Sequence, residues 1–187
     1  MFLFLFFKIK KYFYLSFIIF LFLSCSTVQV KINKSLKLNY EHKKFAVLNF
    51  GYQGFNLSSK LAQYASDQLS AELFLRKHFS IVDRSLVRAT LKKYSIRTNQ
   101  QLTAKDINTL NKELNADYLV LGNLYSESSF SNLTKKHNNI ITLNIRFLKA
   151  DSCNIVGMVT HTISSNESVT KIINRLVKET VDAIKIK

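Results

Sequence analysis

The stretch Ala-Asp-Tyr-Leu-Val-Leu-Gly-Asn-Leu at residues 116–124 decides the fold class, because it is the most strongly apolar of the strand-like segments. A short apolar run of this kind is typical of a strand that is buried on both faces of a sheet. Such a strand needs helices on both sides to cover it. The stretch therefore predicts the central strand of an α/β domain.

Shorter strands and amphipathic helices surround this central strand in the sequence. The predicted strands cover residues 45–50, 79–82, 116–124, 140–148 and 155–163, and the last two form a hairpin with one solvent-facing side. Gly51 and Gly54 stop the first strand, so a turn is expected there. The order βαβααβββα predicts one layered α/β domain with a mixed sheet over residues 45–187.

The predicted helices have recognisable starts. Ser58 and Asp83 are residue types that cap helix amino termini, and Thr103-Ala-Lys-Asp106 matches the capping-box pattern. Apolar side chains then recur at helical spacing in each segment. The four apolar stripes are Leu61, Ala65, Leu69 and Leu73; Val87, Leu91 and Tyr94; Ile107, Leu110 and Leu114; and Val169 through Ile184.

The amino-terminal segment has the composition of an export signal. Three lysines at positions 8, 10 and 11 precede an apolar run, Tyr12–Leu23, which ends in Ser24 and Cys25. A cationic flank, an apolar core of about 7–15 residues and a small residue at the cut are the features of a secretory signal peptide. We therefore expect residues 1–24 to be a signal peptide. A retained single-span anchor is the alternative.

The end of this segment, Leu-Phe-Leu-Ser-Cys at residues 21–25, resembles the lipobox of bacterial lipoproteins. The resemblance implies that Cys25 is lipidated and becomes the first residue; an ordinary signal cut is the other reading. Residues 25–44 then form the lipidated cysteine and a polar tether. Because Ser26 replaces the aspartate associated with inner-membrane retention, we expect an outer-membrane anchor facing the periplasm, with the cell surface left open.

The chain is strongly basic, with 27 Lys and Arg residues against 12 Asp and Glu residues and a formal charge of +15. Export makes nucleic acid a poor partner. Anionic lipid headgroups, cell-wall polymers or an acidic protein face are better partners. The alternative is that lysine is simply the common surface residue of this composition.

Four segments of the domain resemble one lipoprotein family. They are Phe45-Ala-Val-Leu-Asn-Phe50, Phe79-Ser-Ile-Val-Asp-Arg-Ser-Leu86, Leu114-Asn-Ala-Asp-Tyr-Leu-Val-Leu-Gly122, and the final hairpin and helix with Asp151 at its turn. In this order the segments are similar to those of the CsgG-like family of the curli secretion channel. Its fold is shared with outer-membrane penicillin-binding-protein activators and the amino-terminal domain of TolB.

The resemblance implies a non-enzymatic envelope lipoprotein that docks or assembles an envelope machine, in secretion, cell-wall synthase activation or surface-structure assembly. The alternative is a ring-forming secretion channel component, and a homo-oligomer is left open. Channel members carry long insertions for transmembrane strands, which need about 9–11 residues each. The connection over residues 125–139 is polar and too short for two such strands, so we expect a loop there.

Few residues point to chemistry. The sequence lacks phosphate-binding glycine loops and helical metal pairs, so we expect no catalytic, cofactor-binding or metal-binding residues. The four histidines, at positions 42, 78, 137 and 161, are scattered, and surface or loop roles are expected for them. Cys153 is the one thiol left after lipidation; a nucleophile using His161 as base is the less favoured reading.

Three further positions carry expectations. Asp83 is expected to cap a helix while Arg84 points to solvent or pairs locally, and Asp117 is expected to be a structural hydrogen-bonding group. Lys135, Lys136 and His137 form the expected partner-contact patch in the polar loop, with a plain solvated loop as the alternative.

Overall fold

The structure is a computed structural model that describes residues 43–98, 102–131 and 136–184. The predicted signal peptide, Cys25, nearly all of the tether and Lys135 lie outside the described residues. The side chains of Lys136 and His137 lie outside them as well. The division into signal peptide, tether and domain therefore stays a prediction.

Six strands and four helices make up the described part of the chain. In chain order they are β1 (Lys44–Val47), β2 (Gly51–Gly54), α1 (Ser59–Lys77), β3 (Ser80–Ile81), α2 (Arg84–Lys93), α3 (Ala104–Leu114), β4 (Tyr118–Ser131), β5 (Lys136–Lys149), β6 (Ile155–Ser165) and α4 (Val169–Ala183). None of these four helices has both the length and the apolar content needed to cross a membrane.

The strands form one mixed sheet in the order β3-β1-β4-β5-β6. β1 pairs in parallel with β3 and with β4, whereas β4, β5 and β6 pair antiparallel. β2 also pairs in parallel with β4, on the same side as β1 but further along the strand, at Asn123–Ser126. The expected single α/β domain with a mixed sheet and a central β4 is confirmed.

Helices cover both faces of the sheet, and a separate hydrophobic core lies under the helices on each face. On one face α1 and α4 bury a large cluster that includes Phe45, and its ring stacks on Phe79 at 4.5 Å and on Tyr118 at 5.0 Å. On the other face α2 and α3 cover Ala46, Leu119 and the neighbouring strand residues. On β5 this second core includes only Leu148 near the strand's end, whereas Thr142 and Asn144 on the same face of β5 are not part of it.

The expected helix starts are confirmed. Ser58 accepts a hydrogen bond from the Leu61 N–H at 3.3 Å, and Asp83 accepts one from the Ser85 N–H at 2.8 Å. Thr103 and Asp106 form the reciprocal capping box. These caps are local, with partners two or three residues apart, which is why sequence alone specifies them.

The turn expected at Gly51–Gly54 is wrong, because these residues form β2. The chain leaves the sheet after Val47, which lies opposite Val120 of β4. It returns at Gly51, which lies opposite Asn123 of the same strand. The Phe50 ring lies over Gly122, where a Cβ atom would come within 2.4 Å of it. Gly54, with φ +109°, has no room for a side chain against the Ser126 carbonyl. Glycine thus permits close strand contact at both positions, and β2 ends at Gly54 and not before Gly51.

The loop expected over residues 125–139 is also wrong. β4 continues to Ser131 and β5 begins at Lys136, with Tyr125 opposite Thr142 and Ser128 opposite Asn139. Serine and asparagine give no apolar alternation here, so the sequence pattern does not reveal the strands. Hydrogen bonds between the backbones of β4 and β5 hold these residues as strands instead. Lys136 and His137 therefore lie on a strand.

Candidate functional site

Arg84 joins two helices to the end of β1. Its guanidinium donates to Asp67 Oδ1 at 2.8 Å, to Ser66 Oγ at 2.7 Å and to Asn49 Oδ1 at 2.8 Å. It also donates to the Val47 carbonyl. The side chain is only 13% exposed. The expectation that Arg84 points to solvent or pairs locally is wrong, since its acid partner lies 17 residues away.

The Val47 carbonyl explains why an arginine stands at this place. Carbonyls two residues apart on a strand point the same way, and the Phe45 carbonyl accepts from Val82 N–H at 2.8 Å on the β3 side. β3 ends at Ile81 and is too short to reach the Val47 carbonyl. Arg84 therefore takes the place of the missing strand residue.

Asp67 carries the negative charge of this cluster. Besides Arg84 it accepts two hydrogen bonds from Arg88, at 2.6 and 2.5 Å. Burial lowers the pKa of Arg84, and the hydrogen bond and charge of Asp67 oppose that shift. Each charged group thus has an opposite charge beside it, so this cluster ties α1 to α2 and leaves no acid or base free for catalysis.

A cavity of about 350 Å³ opens beside this cluster, beyond the end of β1. Arg97 is its charged lining residue, and its walls combine aromatic, aliphatic and amide side chains. The lining consists of Asn49, Phe50, Tyr52, Ser59, Gln63, Leu91, Ile96, Arg97 and Thr98. Its mixture of apolar and polar walls suits an inserted side chain or a small polar group.

The opposite end of the sheet has a smaller cavity of about 220 Å³ with two acids and two lysines. Asp117 accepts from the Lys44 N–H at 2.9 Å and from the Lys43 ammonium at 3.2 Å, and Lys149 pairs with Asp151 at 2.9 Å. Burial alone would raise the pKa of Asp117, but these hydrogen bonds outweigh it and lower the pKa. The expected structural role of Asp117 is confirmed.

The open face of β5 and β6 is polar and ordered by cross-strand hydrogen bonds. The hydroxyl groups of Thr142 and Thr162 are hydrogen-bonded to each other at 2.9 Å. The Asn144 side-chain amide donates to the Thr160 hydroxyl oxygen at 3.0 Å. This is the solvent-facing side of the predicted hairpin. It offers hydrogen-bonding groups but no group with the proximity that acid–base chemistry needs.

His161 and Cys153 lie on opposite faces of the sheet. His161 is 1% exposed and faces α4, where its Nε2 is 2.9 Å from Glu179 Oε2. Cys153 sits at the β5–β6 turn and packs against the core under α2 and α3. The cysteine–histidine nucleophile is therefore excluded, and the expected surface or loop role of His161 is wrong. Among the described residues no group of three metal-ligating side chains comes together.

Exposed aromatic side chains were missed by sequence reasoning. Phe55 is 73% exposed after β2, and Tyr52 and Tyr125 are exposed on the neighbouring strands. Phe55 directly follows Gly54, where a turn is expected from the sequence. An aromatic residue next to an expected turn could have been predicted to be exposed. An exposed aromatic side chain in a turn is a frequent contact residue in protein interfaces.

Comparison with solved structures finds the same fold in other proteins. The PelC dodecamer from Paraburkholderia phytofirmans matches 86% of this chain and 99% of its own, at 10% identity and a TM-score of 0.58. The lipoprotein GNA1162 from Neisseria meningitidis matches 76% of this chain and 97% of its own, at 15% identity and a TM-score of 0.52.

A weaker similarity is to the LpoB carboxy-terminal domain from Salmonella enterica, at 13% identity and a TM-score of 0.45. That match covers 65% of this chain and 82% of that domain. No protein-family model matches the sequence, and no curated protein matches it. The chain therefore shares its fold with PelC and with GNA1162.

Proposed function

We propose that this protein is a lipid-anchored lipoprotein of the cell envelope that acts as a non-enzymatic docking or assembly module. Cys25 carries the lipid and residues 26–44 tether the domain on the periplasmic side of the outer membrane. One observation carries the proposal: a lipobox-like leader stands directly before a domain whose fold the lipoprotein GNA1162 shares. Two or more acyl chains make such an anchor stable.

The geometry of the domain supports docking over catalysis. The charged groups around Arg84 and Asp117 are occupied by bonds between structural elements. The side chains of Tyr52 and Phe55, by contrast, are exposed: Tyr52 lines the cavity at the end of β1, and Phe55 directly follows β2. We propose Tyr52 and Phe55 as a contact surface for an envelope protein, in addition to Lys135, Lys136 and His137.

A second candidate is a ring-forming secretion component of the curli type. It is favoured by the shared fold, because the PelC structure is a dodecamer. It is disfavoured by the β4–β5 hairpin. Beyond the predicted strand ends, the arms extend by only Tyr125–Ser131 and Lys136–Asn139, fewer residues than a transmembrane strand of about 9–11 requires. High-order rings in detergent and ion conductance in bilayers would establish this candidate, and the absence of both would remove it.

Radiolabelled palmitate fed to cells expressing the full chain tests the anchor. We expect label in the wild-type protein and in a Cys153→Ser control, and none in Cys25→Ser. Intact, unprocessed and unlabelled chain in the cytosol would contradict the proposal.

Cross-linking in the native envelope tests docking. We expect a membrane-associated protein partner whose yield falls in a Tyr52→Ser, Phe55→Ser variant and stays unchanged in a Leu86→Ser control on exposed α2. A partner-free monomer in the envelope would contradict the docking role.

A further inference from the structure

The β6 strand forms a long open edge of the sheet. It spans Ile155–Ser165, of which all but the bulged Val156 pair with β5 on one side, and no described strand pairs with the other side. At about 3.3 Å per residue this edge runs for roughly 36 Å. Alternate residues along it direct N–H and C=O groups away from β5.

Charged residues and proline, which often protect an open edge, are missing from β6, and the bulge in its pairing, at Val156, lies at its amino-terminal end. Proteins discourage edge pairing with lysine, inward-pointing charge or proline. Residues 152–166 contain no Lys, Arg, Asp or Glu, and the chain has no proline at all. Two apolar side chains are exposed on β6 itself, Ile155 at 57% and Met158 at 40%.

Charge identifies the occupant of this edge. Two copies of a chain with a formal charge of +15 repel each other over most of their surfaces. They can approach closely where both present an uncharged strip, as β6 does. An acidic partner, in contrast, would find no cation on this strand. The strip therefore fits a second copy of the same chain.

The opposite side of the sheet decides how the two copies meet. There the outer strands are β3 with two residues and β2 with four, and Arg84 occupies the next β1 carbonyl. Among the strands that the structure describes, the long β6 edge therefore finds a matching edge only in another β6. Identical strands pair with each other about a two-fold axis, which makes the pair antiparallel.

We propose that two copies of this chain pair β6 with β6, antiparallel, about a two-fold axis at Thr160, the middle residue of the strand. The two sheets become one continuous sheet. Met158 of each copy then lies opposite Thr162 of the other. This inference concerns self-association and does not rest on the proposed docking role.

Light scattering on the purified full-length chain in detergent tests the proposal. We expect a dimer for the wild type. Thr160→Lys places like charges directly opposite each other across the axis, which is unfavourable, so its dissociation constant should rise about tenfold or more. Thr142→Lys is the matched control: it makes the same change on the same face, but on interior strand β5, and it should remain a dimer.

Disulfide cross-linking locates the axis. In a Cys153→Ser background, Thr160→Cys should form a covalent dimer on oxidation, because directly opposed Cβ atoms on paired strands lie about 4.5–5.5 Å apart. Thr142→Cys and the background chain alone should not. Circular dichroism shows whether each variant is folded, and Met158→Cys and Thr162→Cys test for a shifted axis.

Three results would overturn the proposal. The first is a wild-type chain that is monomeric at all concentrations. The second is a larger ring in which none of the three β6 cysteines cross-links. The third is a cross-link from β6 to residues 27–32 of the same chain, which would mean that the tether covers the edge instead of a second copy.

Discussion

The two edges of the sheet differ in how they end. The β3 edge has only two paired residues, and Arg84, held by Asp67, closes the position where the strand would continue. The β6 edge has eleven residues and none of the four charged residue types. One edge is thus closed by charges that link α1 to α2, while the other keeps its backbone groups available. The difference teaches that a charged side chain can close one edge of a sheet to a further strand while an uncharged edge stays open to one.

Breaking the closed edge should have the largest effect on stability. Arg84→Met removes the cation from a site that is 13% exposed, leaves Asn49 and the Val47 carbonyl without this donor, and leaves Asp67 paired with Arg88 alone. We expect a loss of about 3 kcal/mol in the free energy of unfolding, measured by urea denaturation of the full chain. Arg88→Met, at a half-exposed site on the same carboxylate, should lose about 1 kcal/mol or less. Equal losses would show that Arg84 has no special role.

The junction between β1 and β2 should be the next most sensitive position. In Gly122→Ala the new Cβ lies 2.4–2.6 Å from three atoms of the Phe50 ring, so the ring must move. We expect a loss of about 2 kcal/mol by urea denaturation, as for other overpacked cores. Adding Phe50→Leu should recover part of that loss. A double variant no more stable than Gly122→Ala alone would contradict this explanation.

The pH dependence of stability should be sensitive to a residue on the core side of β6, His161, and not to residues on its open side. Burial lowers the pKa of His161 from 6.5; Glu179 raises it in part, and Arg175 lowers it further. The unfolded chain therefore binds the proton more tightly, so stability is full above pH 6.5 and is lost as the pH falls through the folded-state pKa.

Urea denaturation at pH 7.5 and pH 5 checks this expectation. We expect the wild type to be less stable at pH 5, and His161→Gln to show a smaller difference between the two values. Greater stability at pH 5 would mean that Glu179 stabilises a protonated His161, contrary to the assigned shift. Thr162→Ser, on the open face of the same strand, is a control that should keep the wild-type difference.

The smallest effect is expected at the β5–β6 turn. Lys149 and Asp151 are both about half exposed and pair at 2.9 Å. Exposed ion pairs contribute little, so Asp151→Asn should change the free energy of unfolding by no more than about 0.5 kcal/mol. A loss as large as that of Arg84→Met would show that charge pairs stabilise both ends of the molecule alike.

The features that could be predicted from the sequence are those whose interacting residues lie close together in the chain. The caps at Ser58, Asp83 and Thr103 involve partners within one helical turn, and the buried stripe Ala65, Leu69 and Leu73 follows helical spacing. For such features the pattern and the physical cause lie in the same few residues. The alternation of β6 belongs here too, but the expectation for His161 did not use it: His161 lies in register with Val159 and Ile163 and is buried with them.

The remaining features depend on contacts far apart in the chain. Arg84 acts through Asp67 and Val47, which are 17 and 37 residues away, so its neighbours in the sequence do not reveal its role. β2 and the ends of β4 and β5 are strands because of backbone pairing, and their side chains lack strand periodicity. The open edge of β6 is likewise visible only once the strand order is known.

Hydrogen–deuterium exchange compares the two edges most directly. In the full-length chain, we expect the outward-facing amides of β6 to become more protected as protein concentration rises. We expect no such change in Thr160→Lys, and none in the β3 amides of either protein. Protection of β6 that does not vary with concentration, or that rises equally at both edges, would contradict the account.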